Sequence, residues 1–179
     1  SSDLDFIRAK ALFAEQVKAI KPIVEDKQQM DWVRAVHPLL FLSLQKQGKQ
    51  VVPLDIELTE GKRILIISGP NAGGKSVCLK TVGLLQYMLQ CGLLIPLHER
   101  SRTGIFEHIF IDIGDEQSIE NDLSTYSSHL TNMKYFVKNC NERTIILIDE
   151  FGSGTEPQIG GAIAEALLDR FNRNHSFGV

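Results

Sequence analysis

The chain has few of the features that mark several protein classes. Its 179 residues include only three cysteines, Cys78, Cys91 and Cys140, which are far apart and have no metal-ligand spacing. An odd number of scattered thiols argues against a disulfide framework and is typical of a reducing cytoplasm. No apolar run approaches the roughly 18–20 residues that cross a bilayer, and no signal-peptide pattern is present. We therefore expect a cytoplasmic protein without a membrane partner.

Neither sign of charge dominates the chain. It has 19 lysines and arginines against 22 aspartates and glutamates, a formal net charge of −3. A global positive field that would attract nucleic acid or an anionic membrane is therefore excluded. The apolar content of 43% is ordinary for a globular protein, and the length suits one domain with a small attachment. Because residue 1 is Ser and the last four residues resemble the start of a strand, we expect a piece of a longer protein.

The hydrophobic pattern predicts an α/β fold. Ile-rich runs at 108–113 and 144–148 are typical of buried parallel strands, and Gly61 is predicted to turn the chain into a further strand at 63–68. Apolar periodicity predicts helices at 2–20, 74–91, 125–139 and 157–172. A polar segment at 24–32 and a strand within 51–58 precede the main sheet. Strands that alternate with helices predict a mostly parallel sheet flanked by helices.

The strongest motif is SGPNAGGKS at 68–76. Gly69, four residues later Gly74, and then Lys75 and Ser76 match the phosphate-binding loop, with a predicted strand before it and a helix after it. Lys75 would reach the β- and γ-phosphates, and the Ser76 hydroxyl would ligate Mg²⁺. A chance glycine-rich turn is the alternative, and the flanking elements disfavour it. The residues predicted to bind ATP are Gly69, Pro70, Asn71, Ala72, Gly73, Gly74, Lys75, Ser76 and Val77.

Two acids follow the predicted strand at 144–148. Asp149 would ligate Mg²⁺ opposite Ser76, and Glu150 would act as the general base that activates water. A helix cap and a salt bridge are the alternative uses of two adjacent acids. The combination with the phosphate-binding loop favours an ATP hydrolase, with Lys75 and Glu150 as catalytic residues. The acceptor pocket and lid arginines of a small-molecule kinase cannot be identified.

Two further segments have both a local and a functional interpretation. Ser124, in DLSTYSSHLTNM, either caps a helix or contributes to a second anion site at the start of that helix. Periodicity alone favours the cap. Gly152, Gly154 and Thr155, in DEFGSGTEP, form either a strand-to-helix loop or a tight turn that meets another subunit. Locally, the plain loop is favoured.

Three segments together carry a family resemblance: GPNAGGKS, DIGDEQSIENDLSTYSSHLTNM and LIDEFGSGTEP, in this order. They resemble the ATPase domain of the MutS family, most closely its MutS-two branch, from about residue 3 to the end. The resemblance implies a P-loop NTPase of the ABC type that dimerises head to tail. Each ATP would lie between Lys75 of one subunit and Ser124 of the other. Gln117 would match the loop that senses the γ-phosphate, and Gly152 to Thr155 would match a loop that crosses the dimer interface.

The resemblance also implies a division of the chain and a biological role. Residues 1–36 would be the helical tail of a core and lever domain, and residues 37–179 an ATPase domain that stops before a switch histidine. With ATP and Mg²⁺ as cofactors, turnover would drive clamping on branched or recombining DNA through other domains, which suppresses recombination. Splitting of stalled ribosomes, with ribosomal RNA as partner, is the alternative, and these residues do not separate the two. We expect this piece alone to hydrolyse ATP weakly.

Two other protein classes fit the sequence less well. In a transporter's nucleotide-binding subunit, a helical insertion that docks the membrane partner would separate Lys75 from Asp149, and the chain leaves little room for it. Such a subunit would also carry Leu-Ser-Gly-Gly-Gln where this chain reads LSTYS at 123–127. An interaction module with a dead site would have lost Lys75, Ser76, Asp149 or Glu150, and all four are present.

Overall fold

A computed structural model describes residues 2–69, 74–114, 122–150 and 156–179, without the side chains of 122–126. Its elements, in chain order, are α1 (Ser2–Gln16), β1 (Ile23–Val24), β2 (Met30–Ala35), α2 (Pro38–Lys46), β3 (Leu54–Leu58), α3 (Lys75–Gln90), β4 (Arg102–Thr103), β5 (His108–Asp112), α4 (Asp122–Asn139), β6 (Thr144–Ile148), α5 (Pro157–Arg173) and β7 (Phe177–Gly178). The chain forms two compact units, residues 1–60 with 80–105 and residues 61–79 with 106–179.

The first unit contains a four-stranded mixed sheet in the order β1-β4-β2-β3. β2 is antiparallel to both β3 and β4, whereas β1 and β4 are parallel. Met30, Trp32 and Ala35 are buried, while Asp31 and Arg34 are exposed. The polar segment predicted for 24–32 is therefore wrong in part, because Met30, Asp31 and Trp32 alternate as in a half-buried strand. The prediction of a mostly parallel sheet does not hold for this unit.

α1 is shorter than predicted. It ends at Gln16 rather than near Pro22, because Lys18 adopts a left-handed backbone with φ of 55°. The Ala19 N–H then donates to the Ala14 carbonyl oxygen at 2.8 Å, which satisfies one of the last carbonyls of the helix. Only the first part of residues 1–36 is thus helical, since β1 and β2 follow. The domain boundary at 36/37 stays a prediction.

The second unit contains three parallel strands in the order β5-β6-β7. A fourth segment joins β7, where Ile64 forms a parallel bridge with Gly178. The Gly178 N–H donates to the Arg63 oxygen at 3.0 Å, and the Leu65 N–H donates to the Gly178 oxygen at 2.9 Å. Among the described residues, the strand predicted at 63–68 is limited to this pairing. All four segments run the same way, so their carboxyl ends meet at one edge, where α/β sheets bind ligands.

For α3 and for the other helices and strands of the second unit, the predicted bounds agree with the structure to within three residues. The parallel strands lie where the Ile-rich runs predicted them, and α3, α4 and α5 begin and end near the predicted residues. α4 and α5 pack on the sheet through a core of Met133, Phe136, Cys140, Ile146 and Phe171. Phe110 of β5 stacks on Phe136 with ring centroids 5.0 Å apart. This packing fixes α4 against the strands whose ends carry the candidate site.

No helix in the part of the chain that the structure describes is long and apolar enough to cross a membrane.

Candidate nucleotide-binding site

The described end of the phosphate-binding loop leads directly into α3. Gly74 has a φ of 83°, a left-handed conformation that glycine adopts without steric cost. Its carbonyl oxygen accepts a hydrogen bond from the Cys78 N–H at 2.9 Å, which makes Gly74 the residue that starts the helix. Lys75 and Ser76 are then the first helical residues, at the end of a helix that attracts anions.

The Lys75 side chain contacts the residue at the start of the loop. Its Nζ donates to the Gly69 carbonyl oxygen at 2.6 Å. This contact joins the two described ends of the loop, and a phosphate oxygen would be a stronger, charged acceptor for the same ammonium group. The predicted ligands Pro70, Asn71, Ala72 and Gly73 lie outside the described residues.

The two acids lie directly after β6. The Asp149 N–H donates to the Asp112 carbonyl oxygen at 3.0 Å, which extends the pairing of β5 with β6 by one residue. The Asp149 side chain is 8% exposed. A buried carboxylate is costly to keep charged unless a cation or hydrogen-bond donors compensate it.

Glu150 has an unusual backbone. Its φ is 56°, in the left-handed region, which costs an L-residue other than Gly, Asn or Asp about 1–2 kcal/mol. Such residues persist where the surroundings impose the conformation, and they concentrate at functional sites. Lys18, Arg34 and His175 share this conformation, so the role of Glu150 as general base rests on its place after β6 and on its neighbours.

One cavity of about 360 Å³ is lined by Lys75, Asp149 and Glu150 together. The rest of its wall is largely apolar and comes from residues 64–67, from β6 and β7, and from α5. The structure thus brings together ionisable groups from two motifs that are far apart in the sequence. Interactions between charges are stronger in such apolar surroundings than in water. Ser76 is half-buried beside Lys75 at the start of α3.

The fit for Mg²⁺ can be assessed from the ligands that the chain offers. Mg²⁺ is usually held by one or two carboxylates together with substrate phosphates and water, rather than by a cage of protein groups. The buried Asp149 carboxylate and the Ser76 hydroxyl match this pattern. The part of the chain described here contains no cluster of three or more His, Cys, Asp or Glu side chains that would form a separate metal site.

The structure describes only the backbone of Ser124. α4 begins at Asp122, earlier than predicted, so the Ser124 backbone lies inside the first turn rather than before the helix. The Ser124 side chain lies outside the described residues, as do Gln117, Gly152, Gly154 and Thr155. Their roles stay predictions.

Sequence reasoning missed one polar cluster at the same edge of the sheet. The Asp112 carboxylate, 7% exposed at the end of β5, contacts two side chains of α4. His129 Nδ1 lies 2.5 Å from Oδ2, and Asn132 Nδ2 donates to Oδ1 at 2.8 Å. The available signal was the spacing of His129 and Asn132, which places both on one face of a helix.

The chain is similar to known proteins over most of its length. The family model for MutS domain V matches residues 65–178. The chain is 47% identical over 178 residues to Endonuclease MutS2 of Shouchella clausii, covering 99% of this chain and 22% of that protein. It is 46% identical over 176 residues to Endonuclease MutS2 of Ligilactobacillus salivarius, covering 98% and 22%. It is 49% identical over 165 residues to Endonuclease MutS2 of Listeria monocytogenes serotype 4a, covering 92% and 20%. The chain therefore spans about a fifth of the length of these relatives.

Proposed function

This chain belongs to the MutS family and resembles its MutS2 branch, and from this membership and the site we propose that it binds and hydrolyses ATP. The fold of the second unit is then that of a P-loop NTPase of the ABC type. The observation that carries the proposal is the single cavity lined by Lys75, Asp149 and Glu150. A chance glycine-rich turn would have no reason to share a cavity with two acids from a distant strand.

Each residue has a distinct task in the proposed reaction. Lys75 exchanges the Gly69 carbonyl oxygen for a phosphate oxygen, a charge-assisted contact that is stronger than the one it replaces. Asp149 and Ser76 would hold Mg²⁺, which neutralises charge on the phosphates when it is bound. The exposed carboxylate of Glu150 orients water and takes up its proton.

We further propose that ATP lies between two copies of the protein in a head-to-tail homodimer. Ser124, in the first turn of α4, would then contact the nucleotide bound by the partner. This part of the proposal rests on the resemblance of LSTYSSHLTNM to the signature segment of the MutS family, because the Ser124 side chain lies outside the described residues.

The biological role proposed for the whole protein is coupling of ATP turnover to clamping on branched or recombining DNA, which suppresses recombination. Release of stalled ribosomes is the alternative. Both are roles proposed within the MutS2 branch, so the similarity to proteins named MutS2 does not separate them. Their names also include an endonuclease activity, and because this chain spans only a fifth of them, the proposal assigns it the nucleotide step alone. Co-purification of the full-length protein from cells separates DNA junctions from ribosomal subunits as the bound partner.

Two substitutions test the nucleotide step. Lys75→Ala should weaken the binding of Mg²⁺-ATP by roughly ten- to hundredfold, because a charge-assisted hydrogen bond to phosphate is worth about 1.5–3 kcal/mol. Lys80→Ala, an exposed lysine on the same helix, is the matched control and should bind ATP as the wild type does. Glu150→Gln should retain binding and lose most turnover in the full-length protein. Equal ATP affinity of Lys75→Ala and the wild type in calorimetry would exclude the assignment.

A further inference from the structure

Asp112 connects α4 to the strand end that carries Asp149. We propose that His129, which holds the Asp112 carboxylate, is a positioning residue that fixes α4 relative to the acidic edge of the sheet. The inference rests on the proposed function. It adds that, within each subunit, the residues that bind its own ATP are coupled to α4, which would contact the ATP bound by the partner. Its basis is the set of contacts around Asp112.

Both carboxylate oxygens of Asp112 have partners on α4. His129 Nδ1 lies 2.5 Å from one, and Asn132 donates to the other at 2.8 Å. The carboxylate is almost fully buried, so loss of either partner leaves a desolvated charge. α4 therefore cannot rotate or slide along the sheet without breaking two hydrogen bonds to a buried group.

The backbone of Asp112 reaches the second motif. Its carbonyl oxygen accepts from the Asp149 N–H at 3.0 Å, and Asp112 pairs with Ile148 in the parallel ladder. Asp112 thus binds α4 through its side chain and the strand end with the two acids through its main chain. A displacement of α4 would therefore disturb the strand end with Asp149 through Asp112.

The ring of His129 lies beside Gly114, which follows β5. Because Asp112 accepts from Nδ1, the other nitrogen of the ring, Nε2, is directed elsewhere. A Cβ placed on Gly114 would lie 3.7 Å from Nε2, so the space above Gly114 separates the ring from the backbone there. The contact of the ring with Asp112 is therefore the one that the substitutions below remove.

The direction of the coupling follows from the proposed dimer. His129 lies five residues after Ser124, about 7.5 Å further along α4 at a rise of about 1.5 Å per residue. Asp149 serves the ATP bound by its own subunit, whereas Ser124 serves the ATP bound by the partner. The contact between His129 and Asp112 then connects the two nucleotide sites of a dimer within one chain. Turnover needs residues of both subunits around each ATP, whereas the first binding of ATP needs Lys75 of one subunit. Loss of the contact should therefore lower kcat more than the affinity for ATP.

The experiment compares three variants of the full-length protein. His129→Phe keeps an aromatic ring and removes the hydrogen bond, and His129→Asn places an amide nitrogen near the position of Nδ1. His108→Phe is the matched control, because His108 is an exposed residue of β5 that stacks on Phe110 with ring centroids 5.6 Å apart. We measure the affinity for Mg²⁺-ATP, kcat and the melting temperature of each.

We expect His129→Phe to bind ATP within about twofold of the wild type and to lose about tenfold or more in kcat, since misplacement by about 1 Å can cost up to about a hundredfold. His129→Asn should recover part of the loss, and His108→Phe should match the wild type. Wild-type kcat in His129→Phe would overturn the inference. So would parallel losses of affinity, kcat and stability in both His129 variants, which indicate a structural role alone. Failure of the proposed function is recognised separately, as wild-type turnover in Lys75→Ala.

Discussion

Gly104 lies so close to Lys27 that a Cβ on Gly104 would be only 1.7 Å from the Lys27 carbonyl oxygen. The Gly104 N–H also donates to the Gln29 oxygen at 2.8 Å, so the two backbones are fixed at this distance. Gln86, fully buried in α3, donates to the Gly104 carbonyl oxygen at 2.9 Å. This contact holds β4 to the chain between β1 and β2 and requires a residue without a side chain.

Gly104→Ala should therefore destabilise the protein by about 3 kcal/mol, because neither backbone can move without breaking these hydrogen bonds. Gly161→Ala is the matched control. Gly161 lies within α5 with no atom within 4 Å of an added Cβ, and alanine there should stabilise the helix by up to about 1 kcal/mol. Urea unfolding of both variants checks the prediction, and a Gly104→Ala protein of wild-type stability would contradict the close approach.

His37 makes the stability of the chain depend on pH. Its Nδ1 accepts a hydrogen bond from the Leu40 N–H at 3.3 Å and so caps α2. Burial lowers the pKa of His37 below its usual 6.5, and the positive charge of Lys80 also lowers it. Since the folded protein releases this proton more readily than the unfolded chain, the contribution to stability is complete above about pH 6.5. It is lost as the pH falls from there through the lower, folded pKa.

As the pH is lowered, we expect the stability to fall less than in the wild type for a variant that keeps the cap but does not titrate. His37→Asn retains an acceptor at the cap position. Between about pH 8 and about pH 5, the free energy of unfolding should fall less in His37→Asn than in the wild type. Parallel pH profiles of the two proteins would remove His37 from this role.

Glu150 should show a trade-off between stability and turnover. Glu150→Gly relieves the left-handed strain at φ of 56° and should stabilise the protein by up to about 1 kcal/mol, after the greater chain entropy of glycine is counted. Glu150→Gln keeps the strain and should leave the stability unchanged. Both should abolish most ATP turnover, because both remove the carboxylate. A Glu150→Gly protein that is less stable than Glu150→Gln would show that the conformation is not strained.

Much of the second unit could be predicted because its signals are local. Apolar residues at three- and four-residue spacing predict α4 and α5, and the Ile-rich runs predict β5 and β6. β2 was missed because its pattern is interrupted by a bulge between Trp32 and Ala35. There the Arg34 N–H donates to the Asp55 carboxylate at 2.7 Å, a contact between residues distant in the sequence. Periodicity carries no information about such a contact.

The candidate site also combines residues with local sequence signals and a contact between residues distant in the sequence. Lys75 and the two acids were predicted because each motif is contiguous, with residue types that phosphate and Mg²⁺ require. The contact of His129 with Asp112 joins residues 17 positions apart and depends on how α4 lies against β5. The packing of Phe110 on Phe136 sets that arrangement, and no single segment encodes it.

The last prediction concerns the site shared between subunits. Lys75→Ala removes the phosphate side of a site, and Ser124→Arg removes the partner side through bulk and loss of the hydroxyl. In a mixed dimer of full-length proteins, one composite site carries both lesions, and the other pairs an intact Lys75 with an intact Ser124. Mixing two inactive variants should therefore recover part of the ATPase activity, in proportion to the fraction of mixed dimers.

The control is each variant alone, assayed at the same total concentration. If Ser124 only supports the first turn of α4, Ser124→Arg keeps substantial turnover by itself, and mixing adds nothing beyond the sum of the two proteins. A defect in capping α4 acts within one subunit, so a partner subunit cannot repair it. A loss in Ser124→Arg that is restored by Lys75→Ala, which contributes an intact Ser124, therefore requires that the two residues act on one nucleotide from different subunits.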